Sequence, residues 1–482
     1  FAVVGLPDAA VQEARERVRS GLVNQGYAIP ARRIVVNLAP ADLRKAGPQY
    51  DLPIALAMLG ASGQLGLAAL GGVGAVGELA LDGRLRPVPG ALAMAEHAAA
   101  RGWRRLVVPA ANAAEAALVE GVEVLGADGL RDAADLLEGR REPQPTSLDA
   151  AALLGAADAG PAPDLAEVRG QAPARRALEV AAAGAHSALL LGPPGGGKTM
   201  LARRLPGILP PLALEEAIAV TRIHSVAGLL PPGQPLVLRR PFRAPHHTIS
   251  AVGLVGGGRM PRPGEVSLAH LGVLFLDEVC AFAPSALDAL RQPLEEGRVD
   301  VTRAMTSARF PARPLLLCAG NPCPCGFDGD PRRSCACPPG RAEAYRARLS
   351  GPVADRIDLR VHVPRLGREE LMGAAPSEPS AAVRARVIAA RQRARARGQP
   401  VVNAELSPAD ARRAAALDDE GRGLLARAID RLDLSARGHD RALRVARTIA
   451  DLAGSERVCA DHLAEALQYR AALDEGPTTR AA

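Results

Sequence analysis

GPPGGGKT, Gly192–Thr199, is the stretch that decides the fold. It follows the apolar run Ser187–Leu191 and precedes the helix-forming text MLARRLPGIL, so it reads as strand, glycine-rich loop and helix. Backbone N–H groups in such a loop form a nest for phosphate oxygens at a helix N-terminus. Gly192, Pro193, Pro194, Gly195, Gly196 and Gly197 make the cradle. Lys198 brings an ammonium to the β- and γ-phosphates, and Thr199 offers a hydroxyl to Mg²⁺. Only Lys45 and Lys198 are lysines among 59 basic residues. A nest admits a compact ammonium on a thin stem rather than a planar guanidinium, which explains a lysine here in a chain that otherwise uses arginine. ATP and Mg²⁺ are the expected ligands.

Two more apolar runs complete the site. Gly272–Leu276 and Pro314–Ala319 read as buried strands, and each ends in polar residues. In an open α/β sheet such residues stand at the carboxyl edge, where ligands bind. Asp277 is placed to hold Mg²⁺, mainly through water, and Glu278 to act as general base on the attacking water. Asn321 is placed to orient that water. From residues alone, the acids could instead cap the following helix, and Asn321 could be an ordinary turn residue.

The rest of the chain sets limits. At 482 residues, with 48% hydrophobic residues, it can build several cores. No apolar run approaches the roughly 18 residues of a membrane-spanning helix. The charge of +7 and pI near 9.3 permit nucleic-acid contact, but 2% aromatics exclude base stacking as a main binding mode. DNA would be held through arginines and backbone N–H groups on phosphates. Seven cysteines, five of them between Cys318 and Cys337, speak for a reducing cytoplasm rather than a disulfide framework. The chain opens at Phe1 without Met, and FAVVGLPDAA reads like domain interior, so a missing N-terminal stretch is expected.

Four segments are expected. Residues 1–142 mix strands (ARRIVVNLAP, RRLVVPAAN), helices (DLPIALAMLGASG, ALAMAEHAAARG) and a hairpin turned at Asp82-Gly83. Residues 143–164, rich in Pro, Ala and Asp, read as a linker. Residues 165–366 alternate strands and helices, implying a mostly parallel sheet. Residues 367–482 lose all strand signals, with Ser407-Pro408 opening a helix, and read as a helical domain. The arginine run Arg384–Arg397 reads as a solvated helix face.

GPPGGGKT, FRAPHHTIS (242–250), GGGRMPRPGEVSLAHLGVLFLDEV (256–279), AGNPCPCG (319–326) and SGPVADRIDLRVHVP (350–364) resemble, in order and spacing, the magnesium-chelatase-like AAA+ ATPases of the ComM (YifB) type. The resemblance covers essentially the whole chain. It implies an α/β AAA+ P-loop core with a helical lid, preceded by a Lon-protease-like α+β domain. It further implies a homo-oligomer, a hexameric ring with ATP between subunits. Arg356 looks like the arginine finger of a neighbouring subunit, and Arg437, in Ser435-Ala436-Arg437, like the lid's phosphate sensor; Arg441 is a second candidate. The Lon nucleophile position reads Gln49 and the catalytic lysine position Leu92. Neither can attack a carbonyl, so no protease activity is expected, and the first domain is expected to scaffold the ring or bind a protein partner. The work implied is DNA unwinding or branch migration during recombination of DNA taken up in transformation. A chelatase subunit and a protein-remodelling ATPase are the alternatives.

Two further groups carry chemistry. Where this clade inserts channel-facing hairpins stand Gly256–Glu265, with Arg259 and Arg262, and Val299–Arg309, with Arg303 and Arg309; these arginines are candidates for gripping DNA phosphates. Cys323, Cys325, Cys335 and Cys337 form two tight pairs nine residues apart and could enclose Zn²⁺, although one residue within each pair is tighter than usual. Cys280, Cys318 and Cys459 read as packing residues.

Overall fold

The structure, a computed structural model, describes residues 1–482 except 41–44, 157–162, 232, 259, 304–305, 331–332, 349–355, 373–376, 433 and 472–482. The first unit holds strands β1 (Ala2–Val4), β2 (Val35–Asn37), β3 (Val73–Ala75), β4 (Glu78–Leu79), β5 (Leu85–Arg86), β6 (Arg105–Pro109) and β7 (Glu123–Ala127). β1 and β2 pair in parallel, β3-β6-β7 form a parallel sheet, and β4 and β5 make the hairpin that turns through Asp82-Gly83. The helices Ala9–Asn24 and Asp51–Ala61 cover this sheet with one apolar cluster. Asp51 is fully buried yet satisfied: Arg17 donates from Nε (2.6 Å) and Nη2 (3.0 Å), and the Leu79 amide donates as well.

The second unit carries β8 (Ala188–Leu191), β9 (Phe242–Arg243), β10 (Gly256–Gly257), β11 (Arg262–Pro263), β12 (Val273–Leu276), β13 (Arg298–Arg303), β14 (Thr306–Pro311), β15 (Leu315–Gly320) and β16 (Leu359–His362). Five of these form one all-parallel sheet of order β16-β8-β15-β12-β9. Its inner strands β8, β15 and β12 are apolar on both faces because both are covered. Ala188, Leu190, Phe275, Leu317 and Val361 enter one cluster, and Leu189, Leu191, Leu274, Leu316 and Cys318 the other. β10–β11 and β13–β14 are antiparallel hairpins outside the sheet.

Among the described residues, helices alone follow β16. Ser407 caps the Pro408–Ala415 helix, with its Oγ accepting from the Asp410 amide at 3.1 Å. A buried polar chain ties this lid to the core. His186, at the entrance to β8, bonds Asp358 (Nδ1, 3.1 Å) and Thr448 (Nε2, 2.7 Å). Asn403 links Thr448 to Asp451, which also accepts from Arg397 and from the fully buried Arg447.

Three sequence expectations change. The linker contains a helix, Ala150–Ala156, because DAAALLGA is strong helix text and Asp149 accepts from the Ala152 amide; Leu154 packs against a small apolar cluster. MLARRLPGIL is not one helix: Lys198–Ala202 ends before Leu205–Ile208, where Pro206 starts a new turn. The Arg384–Arg397 run is not simply a solvated face. Arg391 donates to the Ala182 and Ala183 carbonyls, Arg386 grips Glu179 and Glu378, and Arg393 and Arg397 reach Asp451, so the run clamps the Ser380–Ala396 helix to its neighbours.

Candidate nucleotide site

β8 ends at Leu191, and the phosphate loop turns at once. Gly192 is required there, since a Cβ would sit 2.0 Å from the Val363 carbonyl oxygen just past β16. Lys198 opens the next helix and is 9% exposed. Its Nζ donates to the carbonyls of Gly192 (2.7 Å) and Pro193 (3.0 Å) and to Asn321 Oδ1 (3.1 Å). Burial pushes its pKa down, and the charges of Asp277 and Glu278 oppose that shift. Thr199 Oγ1 donates to Asp277 Oδ2 at 2.7 Å. A hydroxyl and a carboxylate facing each other beside a phosphate nest are the oxygen donor set that Mg²⁺ takes. The residues fit ATP with Mg²⁺.

The neighbouring carboxylate is held differently. Glu278 sits at φ +50°, two residues past the end of the buried strand β12, and its amide donates to Asp277 Oδ1 (3.0 Å). This turn leaves the Glu278 side chain exposed while Asp277 faces Thr199. His247 Nδ1 stands 3.7 Å from Glu278 Oε2, and its ring lies against that of His246, centroids 4.1 Å apart. His247 is a site residue that sequence reasoning missed. Its signal was its place in FRAPHHTIS, four residues past the end of the short strand β9.

Lys198, Thr199, Asp277, Glu278 and Asn321 therefore converge at the carboxyl edge of one sheet. The arginines do not join them. Arg356 precedes β16 and so lies toward the amino edge, ion-paired to Glu295. The strand alone spans about 13 Å at its ordinary rise per residue. Arg437 is exposed in the first turn of the Ala436–Ala453 helix, and Arg441, one turn on, faces Asp358 at 3.6 Å.

Among the channel-hairpin candidates, Arg262 is exposed on β11, and Arg309 on β14 pairs with Asp300 at 2.8 Å. Arg303 ends β13, though its side chain lies outside the described set, as does the whole of Arg259. In the first unit, Gln49 donates its amide to the Ala46 carbonyl and Leu92 is fully buried. Burial pushes the Cys280 and Cys318 thiols up to about 11 and about 12, as packing residues require. The four loop cysteines come together, their sulfurs all within 4.8 Å of one another. Among the described residues, no helix is long and apolar enough to cross a membrane.

Comparison with known proteins finds related families along most of the chain. Residues 164–371 match the family of magnesium chelatase subunit ChlI, residues 1–112 a second ChlI-subunit family, and residues 377–470 the ChlI C-terminal family. An uncharacterized Mycobacterium tuberculosis protein is 47% identical over 97% of this chain and 92% of its own length. The uncharacterized protein YifB of Escherichia coli is 45% identical over 97% and 91%. The competence protein ComM of Haemophilus influenzae is 44% identical over 98% and 92%.

Proposed function

The chain belongs to the magnesium-chelatase-like AAA+ ATPases of the ComM and YifB type, and from that premise we propose that it is a DNA motor. In this reading it is a cytoplasmic hexameric ring, a helicase or branch-migration factor that serves recombination of DNA acquired in transformation. The four-segment division at 142, 164 and 366 is part of the proposal, with the first domain a scaffold or partner-binding unit.

The observation that carries the motor reading is a hydrolytic site complete on one side only. Lys198 holds the β- and γ-phosphates, releasing the Gly192 and Pro193 carbonyls it now bonds. Thr199 and Asp277 would hold Mg²⁺, which when bound neutralises phosphate charge. Glu278 takes a proton from water, and Asn321, bonded to Lys198, sets that water's position. The charge that develops on the γ-phosphate still needs a cation from outside. Arg356, beyond the strand from its own phosphate loop, suits a neighbour's site. Arg437 would report nucleotide state to the lid.

DNA as the track is supported by the +7 charge, by the two hairpins bearing Arg262 and Arg309, and by the printed name of the Haemophilus relative, a competence protein. The ChlI matches favour a second reading, a chelatase-type ATPase subunit. Purified protein with ATP and a forked DNA duplex separates them. Strand separation and DNA-stimulated ATP turnover, both absent in Glu278→Gln, are expected. ATPase activity indifferent to DNA, with no strand separation, would leave the chelatase or protein-remodelling reading.

A further inference from the structure

The loop that leaves Asn321 is an oddity of the nucleotide site. The described part of residues 322–338 forms no helix or strand, yet it lies directly behind the phosphate loop. A segment of this length without its own hydrogen-bonded ladder needs something else to hold its shape. Its four cysteines provide that. Cys323 Sγ stands 3.3 Å from Cys325 Sγ and 3.6 Å from Cys335 Sγ, and Cys325 and Cys335 are 3.5 Å apart. These spacings are far too long for disulfides, which need about 2.05 Å. They are close to the edge of a tetrahedron with metal–sulfur bonds of about 2.3 Å, which is about 3.8 Å. The Asp328 amide donates to Cys323 Sγ at 3.3 Å, the outer-shell support a metal thiolate takes.

The same loop is fastened to the phosphate loop at two points. Gly326 has φ +84°, and a Cβ there would lie 2.5 Å from Pro194 Cδ, so the two loops touch backbone to ring. Phe327 is buried with two guanidiniums over its ring, Arg333 at 4.1 Å and Arg365 at 5.1 Å from its centre. Arg365 Nε also donates to the Pro194 carbonyl at 3.0 Å. Asn321, two residues before Cys323, bonds Lys198.

We infer that Cys323, Cys325, Cys335 and Cys337 bind one structural Zn²⁺, and that this knuckle is the back wall of the ATP site, holding the phosphate loop through Gly326, Phe327 and Arg365. Four thiolates in a tetrahedron suit zinc, and its binding fixes a loop that cannot fix itself. The inference rests on the nucleotide reading only for its second half. Arg365 is a positioning residue: it acts through Pro194 rather than on the phosphates.

The test uses the full chain purified under reducing conditions. Elemental analysis is expected to find about one zinc per chain, as a closed four-ligand site holds. Its absence, or iron in its place, would overturn the site. Cys335→Ser/Cys337→Ser should lose the zinc and weaken fluorescent-ATP binding with Mg²⁺ about 10-fold or more, which corresponds to about 1.4 kcal/mol of lost support for the phosphate loop. Should that variant misfold, Arg365→Ala decides. It should keep zinc and raise KM for ATP about 10-fold, the scale of one lost hydrogen bond to a charged group, with kcat within about twofold, the mark of lost uniform binding. Unchanged KM would refute the wall. Lys198→Ala should keep zinc while losing nucleotide, so failure of the zinc site and failure of the nucleotide reading are distinguishable.

Discussion

At the scale of single residues the site rests on neighbours with unlike settings. Asp277 and Glu278 are adjacent carboxylates, but one is bonded to a hydroxyl and an amide and the other stands open to solvent beside His247. Glu278→Gln should therefore retain nucleotide binding and lower kcat by about 10²- to 10⁴-fold, the range for losing a general base. Single-turnover ATP hydrolysis beside nucleotide affinity checks this, and equal loss of both would move Glu278 into the binding set. A second residue reports on pH. His270 is 7% exposed, its Nδ1 accepts from the Arg313 amide, and burial, helped by the Arg313 charge, pushes it down from 6.5 to about 4. Above pH 6.5 the imidazole is neutral in both folded and unfolded chains. Below it only the unfolded chain takes up the proton, so this contribution to stability is lost as pH falls from 6.5 toward 4, by up to about 3 kcal/mol. His270→Asn keeps an acceptor for the Arg313 amide and should flatten the urea-unfolding midpoint over that range; an unchanged acid slope would exclude His270 as its source.

At the scale of elements the lid is fastened by polar groups that packing has sealed in. Asp451 is 1% exposed and serves Arg447, Arg397 and Asn403 at once. Asp451→Ala leaves two guanidiniums without their carboxylate and should cost about 3–5 kcal/mol of unfolding free energy; a loss within the range of an exposed ion pair would refute the network. The hairpins make a different prediction. Arg262→Ala and Arg309→Ala should each weaken DNA binding evenly across sequences and reduce the slope of log affinity against log salt by about 1, as loss of one phosphate contact does. An unchanged slope would remove that arginine from the DNA path.

What the sequence made legible at this scale follows from locality. The phosphate loop, the acids after β12 and the Ser407-Pro408 cap are set by a few adjacent residues, so spacing alone revealed them. Strands β8, β12 and β15 were legible because they are continuously apolar; the edge strands β9 and β16 carry Arg243, Arg360 and His362 and were not read as strands. The His186–Thr448 bond joins residues 262 apart, and Arg391 finds its carbonyls 208 residues away, so no local pattern could mark them. The Ala150–Ala156 helix was hidden for another reason. Flanking prolines and acids made the stretch look like linker, while its own alanines and leucines decided the outcome.

At the scale of the whole molecule, the proposed reaction is divided between two copies. Lys198 and Glu278 stand at the carboxyl edge of the sheet, and Arg356 precedes β16 toward the other edge. A single chain then holds two half-sites, and turnover should rise steeply with protein concentration as the ring assembles. Mixing a Glu278→Gln chain with an Arg356→Ala chain tests this most directly. Each alone should be nearly inert. In the mixture, the Arg356→Ala chain still offers Lys198 and Glu278, and a Glu278→Gln neighbour still offers Arg356, so ATP turnover should reappear at those junctions. A demonstrably mixed assembly with no recovered turnover, or an Arg356→Ala chain that hydrolyses ATP at the full rate alone, would contradict the shared site.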